Sequence, residues 1–202
     1  MNIAGIILAA GMSSRMGSIK ALLPFGDRSL LELVLGNARA SRLSSLIVVL
    51  GHGEEEIRDK VNLAGTTVVV NDRYRLGQST SLHAGLDAVG PASEAVMFLL
   101  GDQPFVGAKT IDSLLTAFAA HRPQLMIPTC HGKRGNPVVA HRLLFPSIRE
   151  ITGDTGLRVL FPELRGRIVE HEVTDPAIHR DVDTPGDYVQ LVSLFSKNAG
   201  VV

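Results

Sequence analysis

Cysteine is almost absent from this sequence, and its charges cancel. Cys130 is the only thiol among 202 residues, which rules out an intramolecular disulfide and a zinc site built from several cysteines. Twenty lysines and arginines balance twenty aspartates and glutamates. A chain without a basic excess has little electrostatic attraction for a nucleic acid backbone, so we expect no nucleic-acid partner. Any affinity for phosphate must come from a local group of cations.

Long apolar runs and paired histidines are missing as well. No stretch approaches the roughly 20 apolar residues that span a bilayer. None of the seven histidines forms an H-x-x-x-H metal pair. The apolar residues 3–10 lack a preceding basic region and lead into a polar loop rather than a cleavage site, unlike a secretory signal. We therefore expect a cytoplasmic protein without a membrane partner.

The composition is that of a globular protein, with 45% hydrophobic and 20% charged residues. A chain of this length can bury the core of one ordinary domain. No internal repeat, low-complexity segment or linker divides it. We predict a single domain over residues 1–195 and a C-terminal tail over residues 196–202.

Apolar strands and amphipathic helices alternate along the chain. Strands are predicted at 3–10, 46–50, 67–70, 95–100, 125–129, 138–140 and 168–173. Helices are predicted at 29–40, from 54, and at 79–89, 108–121, 143–151, 155–160 and up to 195, with an irregular loop at 72–78 and a turn at 130–137. This order predicts an α/β fold, a doubly wound, Rossmann-like, mostly parallel sheet with helices on both faces. Ligands of such sheets bind beyond the carboxyl ends of the strands.

Residues 3–20, IAGIILAAGMSSRMGSIK, form the most informative stretch. A buried strand runs into a loop of small residues that carries Arg15 and Lys20. Glycine lets a backbone approach phosphate oxygens closely, and the two cations neutralise their charge. The stretch is neither a Walker loop, which needs Gly-Lys-Ser/Thr, nor a G-x-G-x-x-G dinucleotide fingerprint. Two interpretations of this stretch stay open, a phosphate-binding loop and an ordinary polar surface loop with a solvated lysine.

The run LAAGMSSRMGSIKALLPFGDRSLLE resembles the N-terminal signature of the MobA-like nucleotidyltransferases, and within them the molybdenum cofactor cytidylyltransferases. The resemblance implies a nucleotide-diphospho-sugar transferase type of fold. It also implies a Mg²⁺-dependent enzyme that joins a nucleotide, with CTP as the favoured donor, to molybdopterin or the molybdenum cofactor and releases pyrophosphate. A recipient molybdoenzyme is then a further expected partner.

The resemblance also implies roles for particular residues. It makes Lys20, Arg15 and Asp102 catalytic. The implied nucleotide-binding residues are Leu8, Ala9, Ala10, Gly11, Ser13, Lys20, Gly51, Asn71, Gly77, Gln78, Ser79, Ser81 and Asp102. The implied acceptor-binding residues are Gln103, Arg134, Gly135, Asn136, Pro137, Asp154, Gly156 and Arg158. Gln78 stands where many cytidylyl relatives have Met, which leaves the choice of base open.

Asp102 and Asp183 are the metal ligands that the resemblance implies. Asp102 follows an apolar strand in LLGDQPF, where a carboxylate either caps the next turn or binds a ligand at the sheet edge. Asp183 lies in DVDTPGD, where it or Thr184 is also suited to cap the following helix. Ser79 has the same second interpretation as a helix cap. Cys130 is either a bystander or a neighbour of the cofactor.

Three functions remain open at this point. The first is cytidylyl transfer to molybdopterin, and the second is guanylyl or other nucleotidyl transfer to molybdopterin or to a sugar or polyol phosphate. The third is a non-catalytic molybdenum cofactor carrier, which has no need for Lys20, Asp102 and Asp183 together. A nicotinamide oxidoreductase is disfavoured because its glycine fingerprint is absent.

Overall fold

The computed structural model describes residues 1–13 and 15–198, apart from the side chains of 197 and 198. The strands are β1 (Ile3–Ala9), β2 (Pro24–Phe25), β3 (Arg28–Ser29), β4 (Ser45–Leu50), β5 (Thr67–Val70), β6 (Ala95–Leu100), β7 (Leu125–Cys130), β8 (Lys133–Arg134), β9 (Val138–His141) and β10 (Ile168–Glu172). The α-helices are α1 (Leu30–Arg39), α2 (Glu54–Lys60), α3 (Gln78–Asp87), α4 (Ala108–His121), α5 (Phe145–Arg149) and α6 (Pro185–Asn198).

One mostly parallel sheet organises the described part of the chain. Its order is β10-β7-β9-β6-β1-β4-β5, with β8 added to β7, while β2 and β3 form a separate hairpin. β1 is parallel to both β4 and β6, and β9 runs antiparallel to β6 and β7. The carboxyl ends of β1, β4, β5 and β6 therefore lie at the same edge. The predicted fold class is confirmed.

Helices cover both faces of the sheet because successive strand residues point to opposite sides. In β1, Ile3 and Ile7 pack with α1, α2, α4 and α6 on one face. Ala4 and Ile6 pack with α3 and α5 on the other. A strand that is buried on both faces is continuously apolar, which is the pattern seen in residues 3–10.

The direction of the chain reverses beside β1, and this reversal determines where a ligand can bind. The chain proceeds from β1 to β4 and β5 on one side and then crosses to β6 on the other. At the resulting switch point the Gly101 N–H donates to the Leu8 carbonyl at 2.9 Å. A Cβ on Gly101 would lie 2.8 Å from that oxygen, so only glycine allows the two strand ends to approach this closely. Ligands of open α/β sheets bind at such a point.

Several predicted boundaries were wrong. The turn at 130–137 contains β8, because the left-handed residues His131 and Gly132 reverse the chain into a hairpin with β7. The helices predicted at 143–151 and 155–160 reduce to α5 and two short 3-10 turns, since Gly153 and Gly156 interrupt the segment. The 72–78 loop contains a 3-10 turn, Tyr74–Leu76. The C-terminal helix continues to Asn198, and the rest of the predicted tail, 199–202, lies outside the described residues.

Candidate functional site

An ionic cluster brings four predicted residues together at the switch point. The Lys20 ammonium lies 2.8 Å from Asp102 Oδ2 and 3.0 Å from Asp183 Oδ1. Arg15 Nη2 lies 3.1 Å from the other oxygen of Asp183. Two carboxylates therefore face one ammonium group, although they are separated by 82 and 163 residues from it in the sequence.

Local backbone structure positions the cluster. The Lys20 N–H donates to Ser13 Oγ at 3.1 Å, where the loop after β1 enters a 3-10 turn. Asp102 directly follows β6, and its carbonyl accepts from Val182 N–H at 3.0 Å, which holds the Asp183 segment beside it. These backbone contacts connect three distant segments at one edge of the sheet.

Asp183 does not act as the helix cap that its sequence position allowed. Thr184 and Asp187 form the cap of α6, because Asp187 Oδ2 accepts from the Thr184 N–H and hydroxyl, each at 2.8 Å, and the Asp187 N–H donates back to Thr184 Oγ1 at 3.2 Å. The carboxylate of Asp183 is consequently available to Lys20 and Arg15.

Burial and charge perturb all three groups at the centre. Burial raises the pKa of Asp102 above its usual value, and repulsion from Asp181 and Asp183 acts in the same direction against the opposing charge of Lys20. Burial opposes the charge of Lys20, but its two carboxylate partners raise its pKa overall. Burial also opposes ionisation of Asp183, yet Lys20 and Arg15 outweigh it and lower the pKa. A buried carboxylate with a perturbed pKa beside a cation is typical of a functional site.

A cleft of about 510 Å³ opens above this cluster. The size is that of a small-molecule site. The predicted residues that line it are Leu8, Ala9, Ala10, Gly11, Ser13, Lys20, Gly77, Gln78, Ser81, Asp102 and Asp154. The loop after β1 thus forms one side of the cleft and the start of α3 another.

Three predicted nucleotide-binding residues support the cleft from behind instead of lining it. The Asn71 amide donates to Thr80 Oγ1 at 2.8 Å and to Ser81 Oγ at 3.0 Å, which ties the end of β5 to α3. Gly51 packs against Ala10, since an added Cβ would lie 2.8 Å from its carbonyl oxygen. Ser79 is buried inside α3 and is not its cap.

Asp154 supplies the cap that α3 lacks. The helix begins after Gly77, which offers no side chain, and the Gln78 N–H donates to Asp154 Oδ1 at 3.2 Å. Ser79 N–H donates to the Gly153 carbonyl at 3.2 Å. Asp154 therefore satisfies an end group of α3 and lines the cleft at the same time.

The predicted acceptor residues are divided between two places. Gln103 is buried and donates to Asp181 and to the Ile178 carbonyl, which also accepts from Asn136 N–H at 3.1 Å. Gly135 and Pro137 belong to the same wall of the fold. Gly156 lies against the Gln78 side chain, next to the cleft.

Arg134 and Arg158 face a second depression of about 500 Å³. Arg134 Nε donates to Glu170 at 2.8 Å, and its guanidinium carbon lies 5.3 Å from the centre of the Phe161 ring. Arg165 lines the same depression, and no feature of the sequence had indicated it. This depression and the cleft have no lining residue in common.

Sequence reasoning missed part of the cleft wall. His52, Tyr74, Arg75, Leu76, Met12 and Ile19 also line it. His52 follows the apolar strand β4 much as Asp102 follows β6, so its position after a strand end was a usable signal. The others lie on loops whose course depends on tertiary packing.

The oxygen donors at the cluster suit a hard divalent cation. The structure brings the carboxylates of Asp102 and Asp183 to one positively charged atom, the Lys20 ammonium nitrogen, so their oxygens converge on a cationic position. In the described part of the chain, no group of three or more His, Cys, Asp or Glu side chains is arranged to hold a metal. Mg²⁺ is commonly held by one or two carboxylates with substrate oxygens, which matches this pair.

Across residues 1–13 and 15–198, none of the helices has the length and apolar character needed to cross a bilayer.

Two curated proteins resemble the chain over most of its length. It is 29% identical over 192 residues to nicotine blue oxidoreductase of Paenarthrobacter nicotinovorans, covering 90% of this chain and 92% of that protein. It is 29% identical over 185 residues to molybdenum cofactor cytidylyltransferase of Escherichia coli, covering 91% and 92%.

Solved structures agree with this relationship. The Mycobacterium sp. strain JC1 homolog of Mycobacterium tuberculosis Rv0371c superimposes with a TM-score of 0.89 at 33% identity, over 97% of this chain and 98% of that one. The manganese complex of Rv0371c has a TM-score of 0.83 at 31% identity, over 96% and 98%. The model of the MobA-like NTP transferase domain matches residues 5–168. The chain therefore belongs to the MobA-like NTP transferase family and is a nucleotidyltransferase.

Proposed function

We propose that this enzyme transfers a cytidylyl group from CTP to the terminal phosphate of molybdopterin or the molybdenum cofactor and releases pyrophosphate. The observation that carries the proposal is the Lys20 ammonium between Asp102 and Asp183 at the floor of the cleft. Similarity to the cytidylyltransferase of Escherichia coli supports the choice of donor and acceptor.

In this proposal the triphosphate lies along the loop after β1. Gly11 and Ser13 offer backbone and hydroxyl groups there, and Lys20 and Arg15 approach the phosphates as cations. Charge-assisted hydrogen bonds of this kind contribute about 1.5–3 kcal/mol each. Asp102 and Asp183 would hold a divalent cation, Mg²⁺ in our proposal, and the cation would supply neutralisation of phosphate charge. The manganese complex of Rv0371c supports the use of a divalent metal in a related protein.

The reaction itself needs little from the protein beyond positioning and charge. An oxygen of the acceptor phosphate, already ionised near neutral pH, attacks the α-phosphorus of the nucleotide. A new oxygen–phosphorus bond forms while the bond to the β-phosphate oxygen breaks, and pyrophosphate leaves with the electron pair. Lys20 and Arg15 neutralise the charge that develops, which accelerates such reactions by about 10²–10³ per donor.

The acceptor is proposed to contact the predicted residues near the second depression. Arg134 and Arg158 present guanidinium groups suited to a terminal phosphate. The segment from Gly153 to Arg158 joins this depression to the cleft, because Gly156 lies against Gln78. A recipient molybdoenzyme and a cytoplasmic location remain predictions from the sequence.

A second candidate follows from the similarity to nicotine blue oxidoreductase. The charged cluster is its main difficulty, since transfer of a hydride or electrons requires no cation held between two carboxylates. Guanylyl transfer, a sugar or polyol phosphate acceptor and a non-catalytic carrier are distinguished from cytidylyl transfer by the ligands that the protein binds and turns over.

Thermal unfolding with CTP, GTP, ATP and UTP, each with and without Mg²⁺ or Mn²⁺, tests the donor. A ligand at about 100 times its Kd adds roughly 2.7 kcal/mol to the free energy of unfolding. We expect metal-dependent stabilisation by CTP, followed by pyrophosphate release when molybdopterin is added. Stabilisation by GTP alone would indicate guanylyl transfer, and stabilisation by CTP without turnover would favour a carrier. Stabilisation by a nicotinamide dinucleotide but by no triphosphate would support the oxidoreductase.

A pair of acceptor variants tests the second depression. Arg134→Gln and Arg158→Gln should raise the KM for molybdopterin while leaving stabilisation by CTP unchanged. An unchanged KM in both variants would remove the depression from the acceptor site.

A further inference from the structure

The cleft is ionic at one side and aromatic at the other. Asp102 follows β6, whereas His52 and Tyr74 follow β4 and β5 on the opposite side of β1. Neighbouring strands lie about 4.8 Å apart, so roughly 10–14 Å separates the two sides. A nucleoside triphosphate has the same division, since its sugar separates a flat base from a charged phosphate chain.

Two large apolar side chains at the cleft have no structural need to be there. Met12 is 51% exposed and Leu76 is 65% exposed, and both line the cleft. Exposed apolar groups gathered at one concave site are typical of a surface that a ligand covers. They lie with Tyr74 and His52, whose ring centres are 6.2 Å apart.

The Tyr74 ring is held in place by its surroundings. Its backbone N–H donates to the Asn71 carbonyl at 3.2 Å. A Cβ on Gly51 would lie 2.9 Å from the Tyr74 Cβ, so glycine is needed for this close packing. Arg75 Nε donates to the Tyr74 hydroxyl at 3.2 Å, and the guanidinium carbon lies 5.6 Å from the ring centre. A ring fixed before binding loses little conformational entropy when a ligand stacks on it.

We propose that Tyr74 is the surface on which the nucleotide base stacks. The proposal rests on the proposed function, because it takes a nucleoside triphosphate as the ligand of the cleft. Every base has a flat π face, so stacking contributes to affinity without selecting one base. The choice of base then falls to polar groups beside the ring, of which Gln78 is the nearest candidate on α3. Tyr74 thus determines how tightly any nucleotide binds, and not which one.

The composition provides a direct optical test, because the chain has no tryptophan and two tyrosines. In a Tyr188→Phe variant, Tyr74 is the only tyrosine. Tyr188 packs edge-on against Phe25 and donates to the Pro24 carbonyl, outside the cleft, so phenylalanine keeps most of its packing. We expect CTP to quench the emission of this variant. A Tyr74→Phe variant, in which Tyr188 is the only tyrosine, is the matched control, and absorption by the nucleotide affects both equally.

Binding measurements with a baseless ligand separate stacking from a structural role. Tyr74→Leu should weaken all four nucleoside triphosphates by a similar factor, on the order of 5- to 100-fold, while Tyr74→Phe binds nearly as well as the wild type. Inorganic tripolyphosphate has no base, so its Kd should not change in Tyr74→Leu.

Three results would overturn the proposal. One is equal quenching in the two single-tyrosine variants after CTP addition. Another is an equal loss of tripolyphosphate and CTP affinity in Tyr74→Leu, which would make the ring a structural support. In either case the wild-type protein would still be stabilised by nucleotides, and the proposed function would stand. If no nucleoside triphosphate binds the wild type at all, both proposals fail together.

Discussion

Replacing Asp102 with asparagine should separate turnover from stability. The carboxylate lies 2.8 Å from Lys20 with its side chain 26% exposed, in the position proposed to meet the metal and the phosphates. Asparagine has almost the same shape but carries no charge. Turnover should fall by about 10²–10³, the effect of losing one charge-stabilising group at a reaction centre.

The stability of the Asp102→Asn protein should change by no more than about 1 kcal/mol at pH 7. Burial raises the pKa of Asp102, so its ionised form is less favourable in the folded protein than in the unfolded chain. Such a carboxylate destabilises the fold above its folded pKa, and asparagine removes that cost. The variant loses part of its hydrogen bond to Lys20, but Asp183 still holds the ammonium at 3.0 Å. The two effects oppose each other.

The pH dependence has a definite sign. Since the raised pKa of Asp102 costs stability only while the group is ionised, the cost disappears as the pH falls through that pKa. The stability of the wild type should therefore improve relative to Asp102→Asn on acidification. Urea unfolding of both proteins at a series of pH values measures this difference.

Asp112→Asn is a suitable control for the substitution itself. Asp112 has a side chain 30% exposed and an ion pair with Arg42, but it lies on α4 away from the cleft. We expect it to retain full turnover. Full turnover in Asp102→Asn would refute the assigned role, and a loss of several kcal/mol in its unfolding free energy would show that Asp102 is chiefly structural.

Two further predictions concern the supports of the site. Gly77→Ala should cost roughly 2 kcal/mol and abolish nucleotide stabilisation, because φ is +112° and the new Cβ would overlap the backbone of Gly153 in the facing loop; Gly90→Ala, with no atom within 4 Å, should be neutral in the same thermal unfolding assay. Ser29→Ala should cost about 1 kcal/mol by removing the cap of α1. Hydrogen bonds from Ser29 lower the pKa of Glu32, so the contribution of this pair is present above the usual pKa of Glu32 and is lost as the pH falls; urea unfolding near pH 7 and about pH 3 should show the Ser29→Ala difference shrinking in acid.

Local sequence determined most of the secondary structure. The apolar runs that became β1, β4 and β6 were readable because strands buried on both faces need continuous hydrophobicity. The start of α1 was readable because Ser29 and Glu32 form a cap from residues three apart. The sequence also placed Lys20 and Asp102 near the same edge, since both follow parallel strands.

Tertiary structure alone decided which of these residues meet and what they do. The pairing of Lys20 with Asp183 spans 163 residues and depends on how the last segment packs beside β6. Asp154 caps α3 only because its loop folds across the sheet, and Arg134 faces a second depression because the hairpin after β7 turns it toward Glu170. Short-range patterns encode backbone preferences within a few residues, whereas a binding site consists of side chains that only the packing of distant segments brings together.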